Sequence, residues 1–167
     1  PGSRGRPSTI YVVSEAGEAH FPKGYNRLVV DLLQDLSTLD GEGQLDRLFH
    51  VRNERLAKTY GLRLAGLPFA EAVHELARAR NDDGYMASVE EKDGHLILTE
   101  HNCPIYDVAQ RFPHACQCEH ELFEKVLKTT IKREMTLVEG DSACRYEFAA
   151  TESMASSSDS GPDDATR

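Results

Sequence analysis

The sequence predicts an α+β fold: an N-terminal helical dimerisation region followed by a small antiparallel-sheet and helix domain that carries the cysteines. Three observations predict it. Apolar residues recur at spacings of three and four through residues 21–80, the period of amphipathic helices. Beyond residue 84, short strand-like runs bounded by glycine and aspartate take over. Finally, 167 residues with 40% hydrophobic and 28% charged side chains suffice for one domain with its own core, plus a tail.

Taken in order, residues 4–7 form a basic, glycine-containing turn, and residues 9–13 a β-branched run of the kind that makes an edge strand. From Phe21 a helical stripe begins, comprising Phe21, Tyr25, Leu28, Val29, Leu32, Leu33, Leu36 and Leu39; residues 40–43 break it. A second helix is expected over residues 44–60, with Leu45, Leu48, Phe49, Leu56 and Tyr60 on one side. Its other side carries Arg47, Arg52, Arg55 and Lys58, but Asp46 and Glu54 are mixed in, so it reads as a solvated face rather than a phosphate site. Pro68 stands where a first-turn proline belongs, and Phe69, Val73, Leu76 and Ala77 carry a third helix to Arg80. Residues 85–90 and 95–100 then read as a hairpin around Asp93-Gly94. Two short helices over 105–112 and 119–131 follow, then strands at 133–138 and 143–148. The expected division is 1–20, a basic turn, short strand and linker; 21–83, the helical dimerisation region; 84–150, the α+β domain that carries the cysteines; and 151–167, a disordered tail rich in serine and aspartate.

Acidic side chains number 28 against 19 basic ones, a net charge of -9, which repels phosphate backbones at long range. No apolar run approaches the roughly 20 residues that cross a bilayer, and no signal peptide is recognisable, so a cytoplasmic protein is expected. The chain opens at Pro1 rather than methionine and reads as a fragment or processed chain. No nucleophile-base pair, paired-carboxylate pattern or phosphate loop stands out, which argues against an enzyme.

Chemistry concentrates in the cysteines. Cys103, Cys116, Cys118 and Cys144 all lie in the second half, and such clustering in a cytosolic protein points to a metal or redox site before disulfides. The alternative is that each is a small buried hydrophobe. Cys103 precedes Pro104, and Cys118 precedes Glu119 with Glu121 three residues on; both are therefore expected at helix N-termini, where the dipole lowers thiol pKa. Cys144 shares a strand face with Tyr146 and Phe148 and points inward. The separations, twelve residues between Cys103 and Cys116 and twenty-seven between Cys116 and Cys144, do not match paired zinc knuckles and suit a larger iron-sulfur cluster. His101, His114 and His120 flank the cysteines as alternative ligands or as supporting residues behind them. His20, His50 and His74 lie in the helical half, away from the cysteines, and read as ordinary surface or interface residues.

The residues His101-Asn102-Cys103-Pro104-Ile105, Val108-Ala109-Gln110, Phe112-Pro113 before Cys116, Glu119-His120-Glu121 and Cys144-Arg145-Tyr146 resemble the C-terminal half of SufR-type transcriptional repressors. Gly5-Arg6-Pro7, Tyr11, Gly17, Phe21-Pro22 and Tyr25 are similar to the wing and linker of the same family, so that the likeness spans about residues 5–149. The resemblance implies a dimeric winged-helix repressor of iron-sulfur assembly genes. Its cluster, [4Fe-4S] ahead of [2Fe-2S], is implied to sit on Cys103, Cys116 and Cys144, with Cys118 either a fourth ligand or a bystander. It also implies DNA contact through the wing at Arg4 and Arg6, in a winged-helix domain largely absent from this chain. Two other readings stay open: a zinc or thiol-redox sensor in which Cys116 and Cys118 cross-link, and a metal-free dimerisation module with buried cysteines.

Overall fold

A computed structural model describes residues 10–14, 17, 20, 24–40 and 42–148. Arg4 and Arg6, Phe21 and the tail at 151–167 lie outside the described residues. The elements are α1 (Tyr25–Asp40), α2 (Glu42–Leu64), α3 (Phe69–Asp82), β1 (Ala87–Lys92), β2 (His95–Glu100), α4 (Tyr106–Arg111), α5 (His114–Leu127), β3 (Ile131–Met135) and β4 (Cys144–Phe148), with a 3-10 turn at Leu137–Glu139. The four strands form one antiparallel sheet in the order β1-β2-β4-β3, which with the helices makes the α+β class that the periodicities predict.

The Asp93-Gly94 turn has both residues at positive φ, 53° and 78°, the two-residue hairpin geometry that matches strand twist. It sets the register Lys92↔His95 through Ala87↔Glu100. β2 then pairs with β4 so that Leu96, Leu98 and Glu100 lie opposite Phe148, Tyr146 and Cys144. These side chains face the helices. They meet Val73 and Leu76 of α3 and Leu122 and Phe123 of α5 in the main core, which also takes Tyr60 and Leu64 from α2. The solvent face of the sheet is laced instead by ion pairs: Arg145 with Glu90 and Glu134, and Lys132 with Glu134 and Glu147. A second core joins Leu45 and Phe49 of α2 to Ala109, Phe112, Ala115 and Cys118, with Val30 and Leu33 of α1 packed on it.

Several expectations are corrected. Residues 10–13 form no strand. α2 runs from Glu42 to Leu64 rather than over 44–60, because its buried stripe Leu45, Phe49, Asn53, Tyr60 and Leu64 continues a turn further. α5 begins at His114 rather than at residue 119; Pro113 occupies its N-cap, and Ala115 extends its buried face backward. The strand expected over 133–138 is β3, which ends at Met135 and gives way to the 3-10 turn. α2 and α3 share their core with the sheet, so the division at residue 84 separates sequence patterns rather than cores. The basic side of α2 is a solvated face as expected, with Arg47, Arg55 and Lys58 exposed and Glu54 among them paired to Lys125 of α5 at 2.5 Å. Among the described residues no helix is long and apolar enough to cross a membrane.

Candidate metal centre

Cys103, Cys116 and Cys144 come from three separate segments. Cys103 lies in the loop after β2, and its neighbours pin that loop. The Asn102 side chain donates to Gly84 O at 2.7 Å, while the amides of His101 and Asn102 donate to Met86 O and Tyr85 O. Gly84 has φ 89°, which side-chain-bearing residues rarely adopt, and a Cβ there would meet Pro104 Cγ at 3.4 Å. The Asn-Cys-Pro run thus clamps one loop on another, leaving the Cys103 sulfur to accept the Ile105 amide. Cys116 lies in the first turn of α5, and its carbonyl accepts from Arg133 Nη1 at 3.0 Å. Cys144 opens β4, and its sulfur accepts the Leu137 amide at 3.4 Å.

Burial dominates at all three thiols. Burial pushes Cys103 up to about 12, with Glu119, Cys144 and Cys116 opposing its ionisation further. Burial, then Glu119, takes Cys116 up to about 11, Cys144 again adding to the effect. Cys144 is raised by burial and then by Glu119 and Glu100, against the Leu137 amide. The expected lowering by helix dipoles is overturned: α4 is capped at Ile105, two residues past Cys103, which therefore occupies no helix start, and burial dominates its thiol. Neutral, half-buried thiols are poor nucleophiles, but soft ligands once a metal displaces their protons.

Cys118 stands apart. It is not at a helix start, because α5 begins four residues earlier, and two positions along an α-helix turn the side chain by about 200° from that of Cys116. Cys116 and Cys118 therefore diverge, which disfavours a disulfide between them, and all four cysteines are free. The Cys118 thiol is raised by burial and then by Glu121 and Asp46. Among the described residues, one group of three or more His, Cys, Asp or Glu ligand atoms lies within 4.8 Å of one another: His50, Cys118 and Glu121. His50, expected away from the cysteines, thus sits beside one. The sulfurs of Cys103, Cys116 and Cys144 are correspondingly more spread than a single tetrahedral zinc requires, about 3.8 Å between sulfurs for bonds near 2.3 Å. His101 is exposed and held through its backbone. His114 Nε2 lies 3.2 Å from Asp46 Oδ1, and His120 Nε2 lies 3.6 Å from Glu124.

Sequence reasoning missed the charged group beside this centre. Arg80 is 1% exposed. It donates from Nε to Glu100 Oε1 at 2.5 Å, pairs with Glu119, and lies over the Tyr85 ring at 3.3 Å. Tyr146 donates to Glu119 Oε2 at 3.1 Å, and Tyr60 donates to Asp83. Burial raises Glu100, and Glu119 reinforces that against the pull of Arg80. Two signals were available. Arg80 continues the buried stripe of α3, and Glu100 ends the apolar run Leu96-Ile97-Leu98. No protein-family model matches the chain, and no curated protein matches it.

Proposed function

We propose that this chain is the iron-sulfur sensing and dimerisation part of a transcriptional repressor of iron-sulfur assembly genes, acting as a regulator rather than an enzyme. What supports the reading is that Cys103, Cys116 and Cys144, from three segments, are free and buried or partly buried thiols, with Cys144 and Cys116 among the charges felt at Cys103. The donor set fits a cluster. It offers three soft sulfurs, two of which accept backbone amides, as cluster sulfurs commonly do; Arg133 is a cation felt by both Cys116 and Cys144. Ligands drawn from three segments far apart in the sequence suit a multi-iron group, [4Fe-4S] ahead of [2Fe-2S], better than the paired knuckles of one zinc ion. Bound there, a cluster supplies ligation that iron supply and oxidants can make or break.

The chain's own residues supply the rest. Ligation ties the Cys103 loop, the start of α5 and the start of β4 together, and thereby biases one packing of the second half over others. α4, which follows the Cys103 loop directly, packs against α1, so that bias reaches the proposed dimer helix. In the reading, a second copy of the chain covers the exposed residues Tyr25, Leu28 and Leu32 of α1. DNA contact belongs to a winged-helix domain, with Arg4 and Arg6 in its wing.

Anaerobic reconstitution with iron and sulfide tests the reading. The wild-type chain is expected to retain both and to show broad sulfur-to-iron absorption in the visible. Cys103→Ser, Cys116→Ser and Cys144→Ser should each lose most of it, because a hydroxyl replaces a soft thiolate poorly, whereas Cys118→Ser retains it. A colourless wild type, or three serine variants with undiminished iron, sinks the assignment.

A further inference from the structure

We infer that His50, Cys118 and Glu121 form a second, mononuclear metal site between α2 and α5, suited to zinc or a similar divalent first-row ion. The inference stands independently of the cluster reading, since it uses none of Cys103, Cys116 or Cys144. The ligand atoms of the three residues already lie within 4.8 Å of one another. Bonds of about 2.0–2.3 Å to a tetrahedral ion set ligand separations near 3.3–3.8 Å, so the site need close by no more than about 1.5 Å. Side-chain rotation supplies that, because His50 is exposed and Glu121 half-exposed.

The backbone that presents the ligands is regular. Cys118 and Glu121 are three residues apart on α5 and so share a face, and α2 packs along α5, so that His50 approaches from the opposite side. Gln117 donates to Glu121 Oε1 at 3.0 Å, which steadies the carboxylate. One turn away, Asp46 and His114 form a second rung, with His114 Nε2 at 3.2 Å from Asp46 Oδ1.

The donor set selects the ion. One thiolate, one imidazole and one carboxylate exclude magnesium and calcium, which prefer all-oxygen shells, and match zinc. Binding displaces the Cys118 proton to solvent and leaves a fourth position for water on the exposed His50 side.

The test is titration of the reduced, metal-free full chain with zinc, followed by calorimetry, and with cobalt, followed through the thiolate-to-cobalt absorption. One equivalent is expected to bind in the wild type and to persist in Cys103→Ser. His50→Ala and Glu121→Gln should weaken it roughly 100-fold or more, since even partners behind a ligand are typically worth about 10- to 100-fold. Cys118→Ser should abolish the thiolate band. Cys118 is buried, so its variant could fail to fold; His50 is exposed, and its variant keeps the test decisive. Unchanged affinity in both His50→Ala and Glu121→Gln, or a wild type that takes up no zinc or shows no thiolate-to-cobalt band, overturns the inference.

Discussion

Helices α1 and α3 carry the same sequence signal, an apolar residue every three or four positions, and meet opposite fates. On α3, Val73 and Leu76 are wholly buried, and the stripe ends in Arg80, fixed by Glu100 from the sheet and Glu119 from α5. On α1, Val30 and Leu33 pack on the second core while Leu32 remains 58% exposed. Periodicity thus declares that a helix has an apolar face, but says nothing of what covers it. The difference lies in long-range partners: α3 faces two strands and α5, whereas α1 packs on α2 and the six residues of α4.

The largest expected effect removes the device that fixes α3. Arg80→Met leaves Glu100 and Glu119 facing each other in the core without their cation. Breaking a buried pair by removing one partner costs about 3–5 kcal/mol, and urea unfolding should report a loss of that size. A loss below about 1 kcal/mol would mean that the two carboxylates reorganise or share a proton, and that Arg80 does not hold the helix in place.

How far the sequence reveals this molecule follows the same line. The helices and the hairpin were legible because local chemistry decides them: the stripes, Pro68 and Asp93-Gly94 act within a few residues. The start of α5 escapes the sequence pattern because Pro113, its N-cap, precedes a turn with little apolar periodicity, so that Cys118 reads as a helix start that it does not occupy. The burial of Cys144 could be anticipated from its strand, but the raised thiol pKa values could not. Burial sets them first, and at Cys103, Cys116 and Cys144 it is reinforced by Glu119, whose approach requires the full packing of α5 against β4. His50 beside Cys118 was invisible for a similar reason, since 68 positions separate them and only the packing of α2 on α5 joins them.

Alkali should next act on both sides of the comparison, through Cys103 packed on the second core and Tyr60 in the main core. Burial first of all lifts Cys103 from 9.0 to about 12 and Tyr60 from 10.0 to about 12. A group whose folded pKa is raised holds its proton better in the folded state, so its contribution is complete below the unfolded value and is lost as pH climbs through the folded one. The metal-free protein should therefore lose stability progressively from about pH 9 towards about pH 12. Cys103→Ser should flatten the early part of that decline, where the thiol titrates when unfolded. Urea midpoints that stay level for the wild type from about pH 8 to about pH 11 would show that no buried thiol or phenol resists ionisation.

The smallest effect on the fold, and the most informative about α1, is expected from Leu32→Glu. Leu32 belongs to neither core, and surface substitutions of this kind usually stay within about 0.5 kcal/mol, so the isolated chain should unfold at nearly the wild-type urea midpoint. Association is another matter. In a two-fold dimer the same stripe meets itself, each substitution acts twice, and two carboxylates enter one apolar seam at a cost of roughly several kcal/mol. Sedimentation separates the outcomes: a folded monomer supports a seam through Leu32, and an unchanged folded dimer removes Leu32 from any seam. An unfolded chain would contradict its exposure and place α1 with α3, as a helix whose stripe is covered by its own chain.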